Sequence, residues 1–417
     1  MSSKKRIAIL YSESISKAAL GSTRTLLDLG NMLHDYYDIK FFSLGKDNQH
    51  IHMDNGIEEE CFYSSASSDS RNTKSRMLDY ISLIFLNKQR SYQIMNSNKA
   101  IHAAVLKYNP EFIITLGRNL VDLVILLQRE LPSAHTISIT DDFRVVKNSI
   151  KIRRESIVKK DKGITRTIKL LFFDMISKRH LSFSLKIYEK MLNRLSATAF
   201  VTEIDRELSI RRYPNIAKKF LVLPTASFPD NKILNKPTYP IKDKIEKIVF
   251  IGNCKHEPNL EAMKLIETEI APKLKEKNFV IIGSGCEKRK IGNVEYTGFI
   301  SEEEKNERID TADLCIAPLR NGSGIKVKIL DYFARCRPVI GTNVAFEGYP
   351  IKNMHNAILE DDISSYAKHI LALESNKELR EKISLNASAI CNYFSYSETA
   401  SRWLKALTFV KKNSDQA

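Results

Sequence analysis

The sequence predicts an α/β protein of two parallel-sheet domains, on three observations. Short β-rich runs alternate with longer helical patterns in the first half of the chain, a second series of the same kind begins near residue 247, and a proline-rich polar stretch lies between them. Parallel strands need long crossover connections, so this alternation specifies a parallel sheet in each half.

In the first series, RIAILYS reads as a strand, GSTRTLLDLGNMLHDY as a helix and DIKFFSLG as a strand. FIITLG, NLVDLVILLQREL and HTISITDD continue the alternation, and ATAFVTEIDRELSIRRYP supplies a late strand and helix. Residues 223–244, LPTASFPDNKILNKPTYPIKDK, hold four prolines among polar residues and read as a hinge. The second series runs through KIVFIGNC, NFVIIGSG, VEYTGF, DLCIAPL, PVIGT and NAILEDD. The expected domains are therefore 1–222 and 245–393 on either side of the 223–244 hinge. A terminal helix follows over 394–417, where Trp403, Leu404, Leu407 and Val410 fall at helical spacing; it reads as a packing helix, with a return onto the N-terminal domain as one option.

A chain of 417 residues with 43% hydrophobic content can bury two such cores, and its net charge of +16 favours phosphates, anionic lipid or nucleic acid as partners. Cysteines at 61, 254, 286, 315, 336 and 391 show no C-x-x-C spacing, so neither a zinc site nor a disulfide framework is expected and a reducing cytoplasm is the natural setting. The basic start MSSKKRIAILYSES has too short an apolar run for a secretory signal, and LVDLVILLQRE and IKLLFFDMI are broken by charge. A soluble or peripheral protein is expected. Residues 147–194 interleave lysine and arginine with large apolar side chains, which reads either as a helical surface for anionic membrane or as an ordinary solvated helix pair.

Ligands of open parallel sheets bind beyond the carboxyl ends of the strands, so the loops there carry the functional signal. The loop RNGSGIKVK after DLCIAPL carries the strongest one. Gly322 and Gly324 allow a tight turn with exposed N–H groups, a helix N-terminus follows, and Lys326 and Lys328 are expected in that helix's first turn, where only an anion justifies them. A phosphate or diphosphate fits, although the spacing G-x-G-x-K-x-K is neither a Walker A loop nor a dinucleotide fingerprint. Ile325, Ile329, Leu330, Phe333 and Ala334 form an apolar stripe, leaving Lys328, Asp331 and Arg335 on another face. Asp331 then belongs either to a surface ion-pair row or to a ribose contact.

The stretch APLRNGSGIKVKILDYFARCRPVIGTNVAFEG resembles the donor-site signature of retaining glycosyltransferases of the GT-B fold, family 4 or group 1 type, with FIGNCKHEPNLEAM, FVIIGSG and VEYTGFI in the expected order over roughly residues 245–350. The resemblance implies two Rossmann-like parallel-sheet domains facing an interdomain cleft, and transfer of a sugar from a nucleotide diphosphate sugar to a glycan or polyprenyl-linked acceptor, with retention. It implies a donor site at Gly252, Asn253, Lys255, Gly283, Gly285, Thr297, Gly298, Phe299, Ile300, Arg320, Asn321, Gly322, Ser323, Gly324, Lys326, Lys328 and Asp331. Within it, Ser323 to Lys326 hold the diphosphate, Lys326 stabilises the leaving group, and Asp331 takes the position of the family's usual glutamate. Ser323 stands where many relatives carry a glutamate that contacts the sugar, so the sugar is left open. Asp141, Asp142 and Arg144 lie on the acceptor side, with Asp142 and Ser323 joining Lys326 as the catalytic candidates, and Gly21, Ser22, Thr23 and Arg24 in a loop over the diphosphate; the residues of these two N-terminal segments are equally readable as ordinary cap or loop residues.

No metal ion or cofactor is expected: the TDD at 140–142 lacks the D-x-D spacing, and the nine histidines are scattered. The natural setting is the cytoplasm or the inner face of the plasma membrane, in the synthesis of a bacterial surface polysaccharide. A sugar-nucleotide epimerase of the same fold is the alternative. A nucleic-acid-binding protein would leave the glycine–lysine loop unexplained.

Overall fold

The structure is a computed structural model. It describes residues 4–14, 21–45, 47–53, 55–63, 99–117, 120–140, 167, 170–171, 174, 188–224, 237, 240–322 and 324–414. The chain divides into two compact units, Met1–Thr225 with Ala400–Ala417, and Ala226–Thr399.

Unit 1 is built on eight strands: β1 (Arg6–Tyr11), β2 (Asp38–Gly45), β3 (Gln49–His52), β4 (Glu58–Tyr63), β5 (Phe112–Leu116), β6 (His135–Thr140), β7 (Ala197–Phe200) and β8 (Phe220–Val222). Their order across the sheet is β3-β4-β2-β1-β5-β6-β7-β8. All pairings are parallel except β3 with β4. The crossovers use α1 (Gly21–Leu33), α2 (Lys99–Tyr108), α3 (Val121–Glu130) and α4 (Glu203–Arg212). Ile7 to Leu10 and every residue of β6 are buried, as central parallel strands covered on both faces must be. α4 begins at Glu203 because Thr202 accepts a hydrogen bond from the Asp205 N–H at 3.1 Å.

Unit 2 carries β9 (Lys247–Ile251), β10 (Asn278–Ile282), β11 (Arg289–Ile291), β12 (Val294–Tyr296), β13 (Leu314–Ala317), β14 (Val339–Gly341) and β15 (Ile358–Leu359). The order is β11-β12-β10-β9-β13-β14-β15, with only β11 antiparallel. Helices α5 (Glu257–Leu265), α6 (Glu302–Asp310), α7 (Val327–Ala334), α8 (Tyr366–Glu374) and α9 (Lys377–Cys391) follow in chain order. Ser301 caps α6 by accepting from the Glu304 N–H at 3.1 Å, and three glutamates fill its first turn, where the helix dipole favours them. The fully buried Arg380 on α9 donates to the carbonyls of Leu373 (3.0 Å) and Asp243 (2.9 Å), fastening the entry of the unit.

The last helix, α10 (Tyr396–Ser414), runs from unit 2 into unit 1. Its Trp403 is fully buried and donates its indole N–H to Pro224 at 3.4 Å, and Lys411 pairs with Glu111 at 2.7 Å. Among the described residues no helix is long and apolar enough to cross a membrane.

Candidate functional site

Register brings the loops at the carboxyl ends of β9 and β10 together. Ile251 stands opposite Ile282, the Gly252 N–H donates to the Ile282 carbonyl and the Cys254 N–H to that of Ser284, both at 2.9 Å. The backbones approach so closely that a Cβ on Gly283 would lie 1.9 Å from the Gly252 oxygen, so no other residue fits there. The same approach sets Cys254 against Cys286 as a disulfide with Cα atoms 5.4 Å apart. This corrects the expectation of no disulfide: the pair is 32 residues apart in sequence, and only strand register makes them neighbours. Cys61, Cys315, Cys336 and Cys391 are buried and lie outside this disulfide.

The glycine–lysine loop follows β13. Gly322 (φ 134°) and Gly324 (φ 69°) occupy backbone conformations that L side chains rarely adopt, which turn the chain into α7. Lys326 is the residue preceding α7 and so stands just before the first turn. Its ammonium folds back on the loop, 2.7 Å from the Gly324 carbonyl and 3.7 Å from Glu347, while the Tyr349 hydroxyl donates to its carbonyl at 3.2 Å. Lys328, within the first turn, reaches the β9 loop instead. Its ammonium donates to Asn259 Oδ1 at 2.7 Å and lies 4.4 Å from the centre of the Phe250 ring. Burial, and next the charge of Lys326, push the Lys328 pKa down to about 7. His256, preceding α5, also has its pKa lowered, by desolvation first and then by Lys328 and Lys326. Three basic groups therefore converge at the ends of β9 and β13, and the two lysines raise the cost of charging His256 as Lys326 does that of Lys328.

Asp331 is buried, and Lys305 Nζ lies 3.8 Å from its carboxylate. The surface ion-pair alternative for Asp331 is overturned. Residues 329–334 are all buried because α7 is covered by α9 as well as by its sheet, and Arg335 turns to Asp310. Asn253 Oδ1 accepts from the Lys255 N–H at 2.8 Å, and Asn321 donates to Glu261 at 2.8 Å. Gly285 and Gly298 have φ of 81° and 71°. The Thr297 hydroxyl donates to the Gly298 carbonyl at 2.9 Å, Phe299 is 73% exposed beside the partly buried Ile300, and Arg320 is exposed.

Gly21 to Arg24 form the first turn of α1 and not a loop, since helical hydrogen bonding already begins at Gly21. Thr23 is fully buried and Arg24 lies 3.8 Å from Asp28. Ser323, Asp141, Asp142 and Arg144, and nearly all of 147–187, lie outside the described residues. Sequence reasoning missed Glu347, His256 and Asn259. The glutamate was visible in the A-x-E-G stretch, but nothing in the sequence assigns it to Lys326.

A cavity of about 1200 Å³ lies in unit 1 at the opposite, amino-terminal ends of β1, β5, β6 and β7, lined by Arg6, Arg194, Lys219 and Lys411 among others. Arg6 and Lys219, like Lys411, have a structural account. Arg6 donates to the Tyr108 carbonyl at the end of α2, and Lys219 to those of Asn193 and Leu195 at the end of a helical turn.

Residues 245–376 match the family model described as glycosyl transferases group 1. The whole chain is similar in fold to sucrose-phosphate synthase from Thermosynechococcus elongatus, with a TM-score of 0.70 and 14% identity over 98% of this chain and 100% of that one. It is similar also to a glycosyltransferase from Rickettsia africae (TM-score 0.63, 14% identity, 98% and 99% covered) and to HepE of Anabaena in complex with UDP (TM-score 0.60, 11% identity, 97% and 100% covered). An uncharacterized 44.6 kDa protein in the cps region of Klebsiella pneumoniae is 30% identical over 87 residues, 21% of this chain; the match spans 22% of that relative.

Proposed function

We propose that this chain, which has the GT-B fold and carries a group 1 glycosyltransferase domain over residues 245–376, is a glycosyltransferase that moves a sugar from a nucleotide diphosphate sugar to a hydroxyl of a glycan or polyprenyl-linked acceptor. The observation that carries this reading is the meeting of Lys326, Lys328 and His256 beside the glycine turn at Gly322 and Gly324, inside the matched domain. Similarity to a UDP complex supports a nucleotide-linked donor.

The chemistry follows from electrostatics. As the bond to the diphosphate stretches, the sugar becomes oxocarbenium-like and negative charge grows on the departing phosphate. Lys326 and the positive end of the α7 dipole stabilise that charge without reorganising. Without donor, Glu347 and the Gly324 carbonyl hold the Lys326 ammonium. An incoming diphosphate competes for it. Asp331 is assigned to the ribose, Asn253, Lys255, Gly285 and Phe299 to the rest of the nucleotide, and the transfer to retention without a metal. The cps-region relative supports a role in surface polysaccharide, and the basic residues of 147–194 support contact with anionic lipid at the inner face of the plasma membrane.

The test is a screen of nucleotide sugars for thermal stabilisation and for slow donor hydrolysis. A stabilising donor raises the melting temperature by mass action, and the same donor should be hydrolysed. Failure of every nucleotide and nucleotide sugar to stabilise the chain at millimolar concentration would sink the proposal.

A further inference from the structure

Two of the histidines that lie scattered in the sequence meet on the edge hairpin of unit 1. β3 and β4 pair antiparallel with His52 opposite Glu58, and His50 precedes His52 by two residues, so all three side chains stand on one face. His50 Nε2 lies 3.3 Å and His52 Nδ1 3.6 Å from the two oxygens of the Glu58 carboxylate. The imidazoles stack with centroids 4.7 Å apart, and the three ligand atoms lie within 4.8 Å of one another.

We propose that His50, His52 and Glu58 form a binding site for a divalent transition-metal ion of the zinc type, which clasps the edge strand β3 to β4. Two imidazoles and one carboxylate are ligands for zinc and its neighbours, whereas magnesium and calcium call for oxygen shells. Four donors at zinc distance in a tetrahedron stand about 3.4 Å apart, so His50 and Glu58 are already at that spacing and His52 needs only a small rotation. Water completes the fourth position. The side chains of His50 and His52 are 48% and 73% exposed, so burial does not explain why they stack. The local charges fit as well. Lys40 bridges Glu58 at 3.0 Å and Glu60 at 2.5 Å, and it can move wholly to Glu60 when an ion takes Glu58. Glu59 points to the other face, where it accepts from the buried Ser43 hydroxyl at 2.5 Å. A four-residue strand at a sheet edge has few bonds of its own, and a metal clasp would fix it.

The experiment is calorimetric titration of Zn²⁺ into chelator-treated full-length protein bearing no histidine tag, with melting temperature read in parallel. One equivalent is expected to bind and to raise the melting temperature. The His50→Ala/His52→Ala double variant, altered only at exposed side chains, is expected to lose at least ten-fold in affinity along with the thermal shift. A Lys40→Met variant is expected to bind more tightly, since a competing ammonium is gone. No saturable uptake, or uptake unchanged in the double variant, overturns the proposal, as does tighter binding of Mg²⁺ than of Zn²⁺.

Discussion

Lys326 and Lys328 are two residues apart, yet the fold treats them oppositely. Lys326 is already matched to a carboxylate, Glu347, and both side chains are only 9% exposed, so its exchange to alanine removes a charge aimed at the proposed leaving group and also takes the cation away from a buried carboxylate. Lys326→Ala is expected to lower kcat by about 10²- to 10³-fold, the usual cost of one electrostatic donor, and to lower the melting temperature, whereas Lys326→Ala/Glu347→Gln is expected to recover the melting temperature but not the turnover. Near-normal turnover would remove the leaving-group assignment. Lys328 faces an amide and a ring, with no carboxylate at ion-pair distance among the described residues, and its pKa drops from 10.5 to about 7. The unfolded chain therefore binds one more proton than the folded one between about pH 7 and 10.5, and the ligand-free protein gains stability as pH rises through that window. Lys328→Met should abolish that gain, as measured by denaturant unfolding at pH 7 and pH 9.5. A bound diphosphate favours the charged lysine, so donor binding should take up a proton and weaken above pH 7. Titration in buffers of different ionisation enthalpy reads the uptake directly.

At the scale of elements, Gly283 couples β9 to β10. Gly283→Ala forces a methyl group against the Gly252 carbonyl, and chemical denaturation is expected to show a loss of about 1–3 kcal/mol or more, with nucleotide binding lost because both proposed donor loops move. A stable, nucleotide-binding variant would show that the loops tolerate separation. Most strands and helices were legible because alternation and apolar periodicity are local: IAILY and FIITL are unbroken apolar or β-branched runs and HTISIT is rich in β-branched residues, as strands buried on both faces require. The edge strands β3, β8 and β11 were not. QHIH, FLV and RKI are too short to carry a period, and β3 and β11 exist through antiparallel pairing. In the candidate site the glycine–lysine spacing was readable, since turn and helix lie in one stretch. Partners such as Lys328 with Asn259, or Cys254 with Cys286, were not, because strand register alone joins residues 69 and 32 positions apart.

For the whole molecule, the terminal helix matters more than its length suggests. Trp403 is fully buried in unit 1, and its exchange to alanine is expected to cost about 3–5 kcal/mol by the usual measure of large aromatic truncations. Hydrogen exchange should then rise in β5 and around Pro224 while residues 245–376 stay protected. Equal loss in both units would show that they unfold together. The basic stretch over 147–194 belongs to this scale too. Flotation with anionic liposomes at low salt should carry the protein upward and fail at about 0.5 M salt, where screening reaches a few ångströms. No flotation at low salt would remove the membrane role.

Because the chain begins in unit 1, builds unit 2 and returns with residues 400–417, the second unit is an insertion within the first. Synthesis on the ribosome runs against that layout. Unit 2 has all its residues before Trp403 is made, so the unit that starts first is completed last. Until then the pocket for that indole stands open, and during that interval the nascent chain depends most on being shielded from its neighbours.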